Sequence, residues 1–405
     1  MNKVAFITSV TPFGSQETFI LTELLALKRV GVEMIVIPRD LSGEIFHKKA
    51  EKLIEKTLCV PWLDINIMKI FMTFCLLHPL IFIRLVYRIC FRARNLKIAL
   101  KNAVMLPKAI YLSEILLQES VCHIHAHWAS TTATMAFIIS QVTGIPWSFT
   151  AHRWDIKENN ILREKCKTAE FVRAISERGK KEIIEIIDNE NVSQKIIVIH
   201  MGVDIPEKDG GPGRASDMFT IMCPANLLPV KGHRYLLDAC RILADKGLKF
   251  SCLIAGDGPL EKDLKQFATN LKLDQSVEFM GRLSHQAIFE LYDTGKIDAV
   301  VLPSIITDDG ENEGIPVALI EAMSYGIPVI STGTGSIPEL LGDGSGLTAN
   351  QRDPEALAFS IERLMKDKHL YVQISGKGKD KIREEFSLDY TAEKLQKLFS
   401  ANCDG

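Results

Sequence analysis

The sequence predicts an α/β protein with two doubly wound domains, and three observations support this prediction. The chain has 405 residues, which exceeds what one hydrophobic core usually organises. Strand-like apolar runs alternate with helix-length segments, as in parallel sheets with crossover helices. The alternation stops at residues 204–217, where Gly210-Gly211-Pro212-Gly213 predicts a turn-rich linker, and then begins again.

Eleven strands are predicted, six before the linker and five after it. The first six are VAFITSV (4–10), VEMIVIP (32–38), CHIHAHW (122–128), PWSFTAH (146–152), EFVRAIS (170–176) and KIIVIH (195–200). The other five are FTIMCPA (219–225), KFSCLIAG (249–256), VEFMG (277–281), DAVVLPS (298–304) and IPVIST (327–332). We therefore expect one domain at residues 1–203 and a second at residues 204–385.

The composition is that of a globular protein whose two halves differ in charge. Hydrophobic residues make up 47% and charged residues 24% of the chain, which argues against disorder. The formal net charge is −2, but residues 1–203 hold 26 Lys and Arg against 19 Asp and Glu, whereas residues 204–405 hold 22 against 31. Only the first half therefore favours anionic partners, and we expect no nucleic-acid partner.

The cysteines and the apolar runs predict a cytoplasmic protein that is not integral to a membrane. Nine cysteines occur without a C-x-x-C pair, which is typical of reduced thiols. The apolar stretch after Met1 is too short for a signal peptide. The longest uncharged apolar run, residues 70–83, is interrupted by Pro79 and is shorter than the roughly 20 residues of a spanning helix.

The segment 62–117 is apolar and helical in length, and it is basic. No acidic residue lies between Arg84 and Lys108, and Arg84, Arg88 and Arg92 are spaced to line one helix face. Two interpretations remain open. The face is either simply solvated, or it lies on a membrane, where each basic residue gains roughly 1 kcal/mol from anionic lipid.

The most informative stretch contains two glutamates eight residues apart, Glu313 and Glu321. It follows a predicted strand and a polar loop, so it should begin a helix at the carboxyl end of a parallel strand, where open sheets bind ligands. Pro316 suits the first helical turn, Gly314 lets a ligand approach, and free N–H groups would face a phosphate. A continuous helix would separate the carboxylates by roughly 12 Å, comparable to a nucleotide sugar's span from sugar to ribose. The bland alternative is two solvated glutamates.

This stretch resembles the E-x7-E hallmark of retaining glycosyltransferases of the family 4 group, which have the GT-B fold. Further motifs occur in the family's order along nearly the whole chain. They are Ser148–His152, similar to the active-site histidine motif; His200–Asp204, similar to the interdomain hinge; Lys231-Gly232, similar to the phosphate-binding lysine; Ala255–Pro259, similar to the glycine loop; and Pro303-Ser304 and Pro338-Glu339. The resemblance implies two Rossmann-like domains facing each other across a cleft, with residues 386–405 forming a helix that returns to the first domain.

The resemblance also implies a hexosyltransferase that retains anomeric configuration and needs no metal or other cofactor. Its donor would be a nucleoside diphosphate sugar, with UDP and GDP both open. The catalytic residues would be His152, Lys231 and Glu313. The donor-binding residues would be Gly14, Asn226, Lys231, Gly256, Gly258, Gly314, Ile315, Pro316 and Glu321. His125 and His127 would lie on the acceptor side.

Two departures from the family pattern bear on the function. Asn226 stands where an arginine commonly shares the diphosphate charge, so either His233 or Arg234 supplies the cation or the donor is held less tightly. The loop Phe13–Phe19 resembles a subgroup pattern, S-x-E-T-F, associated with surface polysaccharide assembly. Together with the basic apolar segment, this loop predicts a saccharide acceptor linked to a lipid and an enzyme at the inner face of the cytoplasmic membrane.

Three other functions remain as alternatives. An inactive homologue that acts as a scaffold would explain Asn226. His123, His125 and His127 share one strand face, a geometry compatible with a zinc hydrolase, although the sequence has no H-E-x-x-H motif. The third alternative is a dinucleotide-dependent oxidoreductase, because the stretch 256–261 matches the first half of the dinucleotide-binding motif G-x-G-x-x-G. No D-x-D motif, typical of metal-dependent transferases, occurs in the sequence.

Overall fold

The chain divides into two compact units, each built on one sheet. In the computed structural model, residues 3–14, 17–41, 45, 48–62, 64–206 and 218–403 are described. The first unit comprises Met1–Gly202 and Leu388–Gly405, and the second comprises Val203–Ser387. Of the predicted linker, residues 207–217 lie outside the described residues.

The first unit contains a six-stranded parallel sheet in the order β2-β1-β3-β4-β5-β6. Its strands are β1 (Lys3–Thr8), β2 (Glu33–Pro38), β3 (Val121–His127), β4 (Trp147–Ala151), β5 (Phe171–Ala174) and β6 (Ile196–Val198). The helices between them are α1 (Thr18–Arg29), α2 (Glu51–Ile54), α3 (Ile65–Leu77), α4 (Pro79–Val86), α5 (Leu96–Gln118), α6 (Thr131–Thr143), α7 (Arg153–Glu158), α8 (Leu162–Thr168), α9 (Glu177–Ile187) and α10 (Glu190–Ser193). The strands are buried on both faces, as expected of a parallel sheet covered by crossover helices.

The second unit has the same architecture, with the strand order β12-β11-β10-β7-β8-β9. Its strands are β7 (Phe219–Pro224), β8 (Phe250–Ala255), β9 (Val277–Gly281), β10 (Ala299–Leu302), β11 (Val329–Thr332) and β12 (Leu347–Ala349). Its helices are α11 (His233–Asp245), α12 (Glu261–Asn270), α13 (His285–Asp293), α14 (Val317–Ser324), α15 (Ile337–Leu341), α16 (Pro354–Lys366) and α17 (Lys368–Glu385). All eleven predicted strands are confirmed. Strand β12 was not predicted, because three residues carry too little pattern.

The last helix, α18 (Leu388–Cys403), belongs to the first unit. Phe399 packs edge-on against Phe6 of β1, with ring centroids 5.6 Å apart. The Gln396 amide donates a hydrogen bond to the Val30 carbonyl after α1. The chain therefore closes its first sheet with residues from its far end.

A disulfide between Cys122 and Cys403 joins β3 to α18 across 281 residues of sequence. The expectation that all nine cysteines are reduced thiols is therefore wrong for this pair, while the other seven are free. The pairing could not be predicted, because neither cysteine lies in a recognisable spacing and only the fold brings them together. Their Cα atoms are 5.2 Å apart, within the range a disulfide spans.

The basic segment is helical, as predicted, but its three arginines do not form one solvated face. A π-helical turn at Tyr87–Phe91 interrupts the regular spacing after α4. Arg88 turns inward, donating hydrogen bonds to Glu164 and Gln141 and lying over the Phe137 ring. Arg84 and Arg92 are exposed. Arg88 is therefore paired with Glu164, and its place in a membrane-facing row stays a prediction.

Candidate functional site

The predicted donor-site residues of the second unit lie near the point where the chain stops adding strands on one side of β7 and begins adding them on the other. Strands β8 and β9 extend the sheet on one side of β7, whereas β10, β11 and β12 extend it on the other. The chain order of the strands thus reverses between β7 and β10, and the carboxyl edge at such a point is the usual ligand site of open parallel sheets. The loop that follows β7 carries Lys231, and the loop that follows β10 carries Glu313.

A glycine brings these two loops into contact. Gly232 has φ +67°, and a Cβ atom added there would lie 2.0 Å from the Pro303 carbonyl oxygen, so only glycine fits. The Ile305 amide donates a hydrogen bond to the Val230 carbonyl at 2.9 Å. The loop after β7 is thereby held against the loop after β10, with Lys231 at the point of contact.

Lys231 and Glu313 form an ion pair at the centre of this site. Lys231 Nζ lies 2.6 Å from Glu313 Oε1, and the side chains are 21% and 13% exposed. The Glu313 oxygen has no well-aligned hydrogen-bond donor, so the contact is electrostatic. The pair combines a cation that can bind phosphate with a carboxylate that can accept hydrogen bonds from hydroxyl groups.

The position of Glu313 depends on Gly335, a residue that the sequence did not single out. Gly335 has φ +59°, and an added Cβ atom would lie 1.8 Å from the Glu313 carbonyl oxygen. The backbone after β11 therefore crosses directly over Glu313. The signal was available in Gly333-Thr334-Gly335 immediately after a predicted strand.

Glu321 projects from α14 and is partly accessible, with 14% of its side chain exposed. Its Oε1 lies 3.3 Å from Nδ1 of His285 at the start of α13, and this hydrogen bond raises the pKa of His285 above its ordinary value. His285 is 75% exposed and was not identified from the sequence. A ligand that binds Glu321 would therefore compete with a histidine.

The helix that carries Glu321 begins later than the sequence indicated. Pro316 is the N-cap, with ψ 120°, and α14 starts at Val317. Glu313 therefore precedes the helix, and the roughly 12 Å separation expected for one continuous helix does not apply. Ile315 lies in the same non-helical segment before α14. A Cβ atom at Gly314 would meet nothing within 4 Å, so this stretch of backbone has an open side.

The other predicted donor residues of this unit surround one loop. Asn226 is exposed between β7 and Lys231. A Cβ atom added at Gly256 would lie 2.0 Å from the Ala225 carbonyl oxygen, and one added at Gly258 would lie 2.7 Å from that of Leu227. Both glycines therefore let the loop after β8 pack against the Asn226 loop, and direct ligand contact by them stays a prediction.

The two candidate substitutes for the missing arginine differ in charge. His233 is buried, and burial together with the nearby charge of Lys231 lowers its pKa to about 4, so it is neutral at pH 7. The expectation that His233 supplies a positive charge is therefore wrong. The Arg234 guanidinium lies 4.5 Å from the centroid of the Phe267 ring on α12.

In the first unit, the order in which the chain adds strands reverses between β1 and β3. The loop after β1 contains Gly14 at φ +71° and is organised by Glu17, a buried carboxylate. One Glu17 oxygen accepts hydrogen bonds from the amides of Val10 and Thr11, and the other accepts one from the Trp128 indole at 2.6 Å. The sequence pointed to this loop, but not to Trp128 as its partner.

His152 lies beside that loop at the end of β4. Its ring centroid is 4.3 Å from that of Trp128 and 5.4 Å from that of Phe19. Burial holds its pKa well below the ordinary range, so the imidazole is neutral, and its Nε2 atom is buried without a hydrogen-bond partner. Asp155 fixes the surrounding backbone by accepting hydrogen bonds from the amides of His152 and Ala129. A buried donor or acceptor of this kind is suited to a ligand.

The histidines of β3 share one face, as predicted, but that face is covered by α18. His125 is fully buried, and its ring nitrogens are hydrogen-bonded to Ser148 and Thr150. Both ring nitrogens thus have partners inside the unit, and an acceptor contact by His125 stays a prediction. His127 is also buried, but both its ring nitrogens lack hydrogen-bond partners, and Nε2 lies 3.6 Å from Glu23. Its acceptor role stays a prediction. Within the described residues, no three His, Cys, Asp or Glu side chains converge as metal ligands.

A cavity of about 530 Å³ opens near the carboxyl ends of β2 and β3 in the first unit. Its walls are mixed, with Trp62, Val104 and Met105 on the apolar side. Arg39 and Lys101 contribute positive charge, and Ser130, Thr131, Asp40 and Glu158 complete the lining. Such a surface can accommodate both polar and apolar parts of one ligand.

Residues 204–381 match the family model described as glycosyl transferases group 1. Over these residues, less than half of the chain, the sequence is similar to that family. WcaL of Escherichia coli K12, named as a colanic acid biosynthesis glycosyltransferase, is 34% identical over 212 residues, which are 51% of this chain and 52% of the relative. The amylovoran biosynthesis glycosyltransferase AmsK of Erwinia amylovora is 33% identical over 246 residues, 58% of this chain and 59% of the relative. The matched part thus spans only half to three fifths of these relatives' length.

Solved structures show that the group 1 match lies within a complete GT-B fold. A glycosyltransferase from Rickettsia africae covers 99% of this chain, with 98% of its own length matched, a TM-score of 0.69 and 19% identity. HepE of Anabaena, solved in complex with UDP, covers 99% of this chain over 100% of its own length, with a TM-score of 0.71 and 16% identity. The predicted GT-B fold class, with two doubly wound Rossmann-like units, is confirmed.

Proposed function

We propose that this chain is a retaining glycosyltransferase of the hexosyltransferase type that takes a sugar from a nucleoside diphosphate donor. The observation that carries the proposal is the Lys231–Glu313 pair at the carboxyl edge of the second sheet, where the strand order reverses between β7 and β10. A nucleoside diphosphate sugar presents a phosphate to the lysine and sugar hydroxyls to the carboxylate. Glu321 would accept hydrogen bonds from the ribose hydroxyls. The relative HepE was solved with UDP, which supports a nucleotide in this fold, while UDP and GDP both stay open here.

In the proposed reaction, the bond between the sugar's anomeric carbon and the donor's β-phosphate oxygen breaks, and the acceptor oxygen bonds to the same carbon from the same face. Negative charge develops on the departing phosphate. Lys231 would stabilise that charge together with amide groups at the start of α14. The departing phosphate would take the proton of the acceptor hydroxyl, so no protein nucleophile is required. We propose that the reaction is metal-independent because Lys231 supplies the positive charge.

His152 would orient the donor sugar in this scheme as a neutral hydrogen-bonding group. Its unpartnered Nε2 atom and its depressed pKa both favour this role over that of a cation. Gly14 lies in the neighbouring loop that Glu17 organises, where backbone can approach a substrate. A His152→Ala variant that folds normally should therefore lose turnover more than donor affinity.

We further propose a saccharide acceptor linked to a lipid, in the assembly of a surface polysaccharide at the inner face of the cytoplasmic membrane. The names of WcaL and AmsK, which refer to exopolysaccharides, support this pathway class. The cavity beside Trp62 and Arg39 supports an acceptor with both apolar and polar parts. Peripheral contact with an anionic membrane completes this proposal.

The deciding experiment screens nucleotide sugars by thermal shift and then by transfer or hydrolysis. Binding of the correct donor raises the melting temperature by mass action, and Glu321→Ala should remove that shift. A product with the donor's anomeric configuration, formed equally well in EDTA, is the expected result. An inverted product, or trapping of a sugar covalently attached to the protein, would contradict the mechanism.

A scaffold without catalytic activity is the second candidate, because Asn226 stands where the family commonly has an arginine and the neighbouring His233 is neutral. The same screen separates the two functions. A scaffold would show neither transfer nor donor hydrolysis with any nucleotide sugar, even if it bound one.

A further inference from the structure

The first unit exposes an unusually apolar surface on α3, α4, the π turn and the start of α5. We call the exposed apolar side chains of residues 65–104 the hairpin surface. Its six most exposed members are Ile65, Leu76, Leu77, Leu80, Phe91 and Leu96, each 70% to 82% exposed. Elsewhere in the described chain, the most exposed large apolar side chain is that of Trp154, at 61%. Single exposed apolar residues are ordinary, but a contiguous set marks an interaction surface.

The two helices that carry this surface contribute little to the core. Ile67 is the only buried residue among the 13 of α3, and Leu85 is the only one in α4. Helices that are apolar on most sides yet remain exposed need a nonaqueous partner. Among the described residues, no single helix is long and apolar enough to cross a membrane. The helices Ile65–Leu77 and Pro79–Phe91 reach that length only together, bent by 106°.

The charges around the hairpin surface indicate which partner covers it. No Asp or Glu occurs between Asp64 and Glu114, and Lys69, Arg84, Arg94 and Lys97 are exposed there. A second copy of the chain would place like charges against each other in a symmetric dimer. An anionic bilayer instead offers hydrocarbon to the apolar side chains and phosphate to the basic ones.

We propose that the α3–α4 hairpin inserts into the headgroup and acyl boundary of an anionic bilayer. Because of the sharp bend between them, both helices lie in the interface and do not cross the bilayer. The membrane contact is therefore made chiefly by apolar insertion, and the row of three arginines is not its basis. Val104 belongs to the hairpin surface and also lines the cavity near β2 and β3, so a lipid-linked acceptor would reach that cavity from the bilayer. This last step rests on the proposed function, whereas the insertion does not.

The test is flotation of the full chain with phosphatidylcholine vesicles, with and without phosphatidylglycerol. The combined variant Leu76→Ser, Leu80→Ser and Phe91→Ser should lower the partition coefficient at least about a hundredfold, because three large side chains lose their burial in lipid. A matched control replaces Phe359 and Val372 with Ser. These are exposed apolar residues of the second unit, at 59% and 52%, and the control should bind vesicles as the wild type does.

A second measurement covers the case in which the combined variant fails to fold. A single Leu80→Trp substitution should add a blue-shifted fluorescence component on vesicle binding, and brominated lipid should quench it. Vesicle binding that the combined variant retains, or a tryptophan that lipid does not quench, would overturn the proposal. A stable wild-type dimer without vesicle affinity, dissociated by the combined variant, would assign the surface to a second copy and also overturn it.

Donor binding separates this proposal from the proposed function. The combined variant should keep the thermal shift produced by the donor nucleotide, because its substitutions lie in the other unit. Vesicle binding without any nucleotide-sugar binding would leave the hairpin insertion standing and remove the transferase assignment. Transfer to a soluble acceptor without vesicle binding would leave the transferase assignment standing and remove the hairpin insertion.

Discussion

The two units share one architecture but treat their polar groups differently. In the second unit, Lys231, Glu313 and Glu321 sit at the carboxyl edge of the sheet with part of each side chain exposed. In the first unit, the polar face of β3 is buried, and Glu23 pairs with Arg173 at 2.6 Å inside the core. The same fold therefore places polar groups in accessible strand-end loops in one unit and on a buried strand face in the other.

Substitutions at the accessible ion pair of the second unit should have the greatest consequence for turnover. Replacing Lys231 with Met removes the only positive charge that the structure places against Glu313 among the described residues, and Glu313→Gln removes its partner. Each should lower turnover by about a hundredfold to a thousandfold, as loss of one charge-stabilising group commonly does. Steady-state rates with the donor identified by the screen measure this.

A matched ion pair in the same unit provides the control. Lys265 and Glu261 are 2.7 Å apart on α12, with side chains 50% and 39% exposed. Lys265→Met should leave turnover and stability nearly unchanged, since exposed pairs contribute little. Equal losses in Lys231→Met and Lys265→Met would show that the site depends on overall charge and would contradict the role given to Lys231.

The next effect concerns the disulfide, which occurs in the first unit. Replacing Cys122 with Ser opens a link that spans 281 residues, and should lower the free energy of unfolding of that unit by about 2–4 kcal/mol. Denaturant unfolding of oxidised protein measures the change. Cys59→Ser, at an exposed free cysteine, is the control and should be neutral. A thiol titration that finds nine free thiols in the unfolded, unreduced protein would contradict the link itself.

The sequence predicted the second unit better than the first, for a physical reason. Lys231, Glu313 and Glu321 follow or flank strands, and loops after parallel strands meet at one edge whatever covers the sheet. The role of His125 depends on what lies over β3, and that cover includes Phe399, 274 residues further along the chain. Periodicity identifies the shared face of a strand but cannot identify a cover supplied from the far end of the sequence.

Contacts between loops were also beyond sequence reasoning. Gly335 was recognisable as a turn residue, but its crossing over Glu313 depends on the paths of two loops. His285 becomes relevant only because α13 brings it to Glu321. Each of these contacts joins segments whose sequence patterns are independent of each other.

A smaller effect follows from Gly335. Gly335→Ala should lower the free energy of unfolding by about 1–3 kcal/mol, because the residue has a positive φ and the added Cβ atom would collide with the Glu313 carbonyl. Turnover should fall as well, because Glu313 must shift. Thermal melting and rate measurements on the same preparation test both effects. Gly342→Ala, where an added Cβ atom meets nothing within 4 Å, should be near neutral, and a similar loss there would remove the argument.

The smallest effect is a pH dependence of donor affinity that originates at His285. Its hydrogen bond to Glu321 raises the pKa of the imidazole, so the protonated form is favoured in the free protein. The stability that this contact adds is therefore present below the ordinary value of 6.5 and is lost as the pH rises through the raised value. A ribose that takes over Glu321 must displace that protonated histidine.

Nucleotide affinity should accordingly increase as the pH rises through the raised pKa of His285. The increase should be about two- to fivefold, because a largely exposed histidine contributes only a modest interaction. Calorimetric titration of the nucleoside diphosphate at pH values on both sides of the His285 titration measures it. His285→Asn should flatten the profile and raise the affinity at the acidic end. An unchanged profile in that variant would mean that the ribose does not use Glu321, which would leave Lys231 and Glu313 as the remaining donor contacts to test.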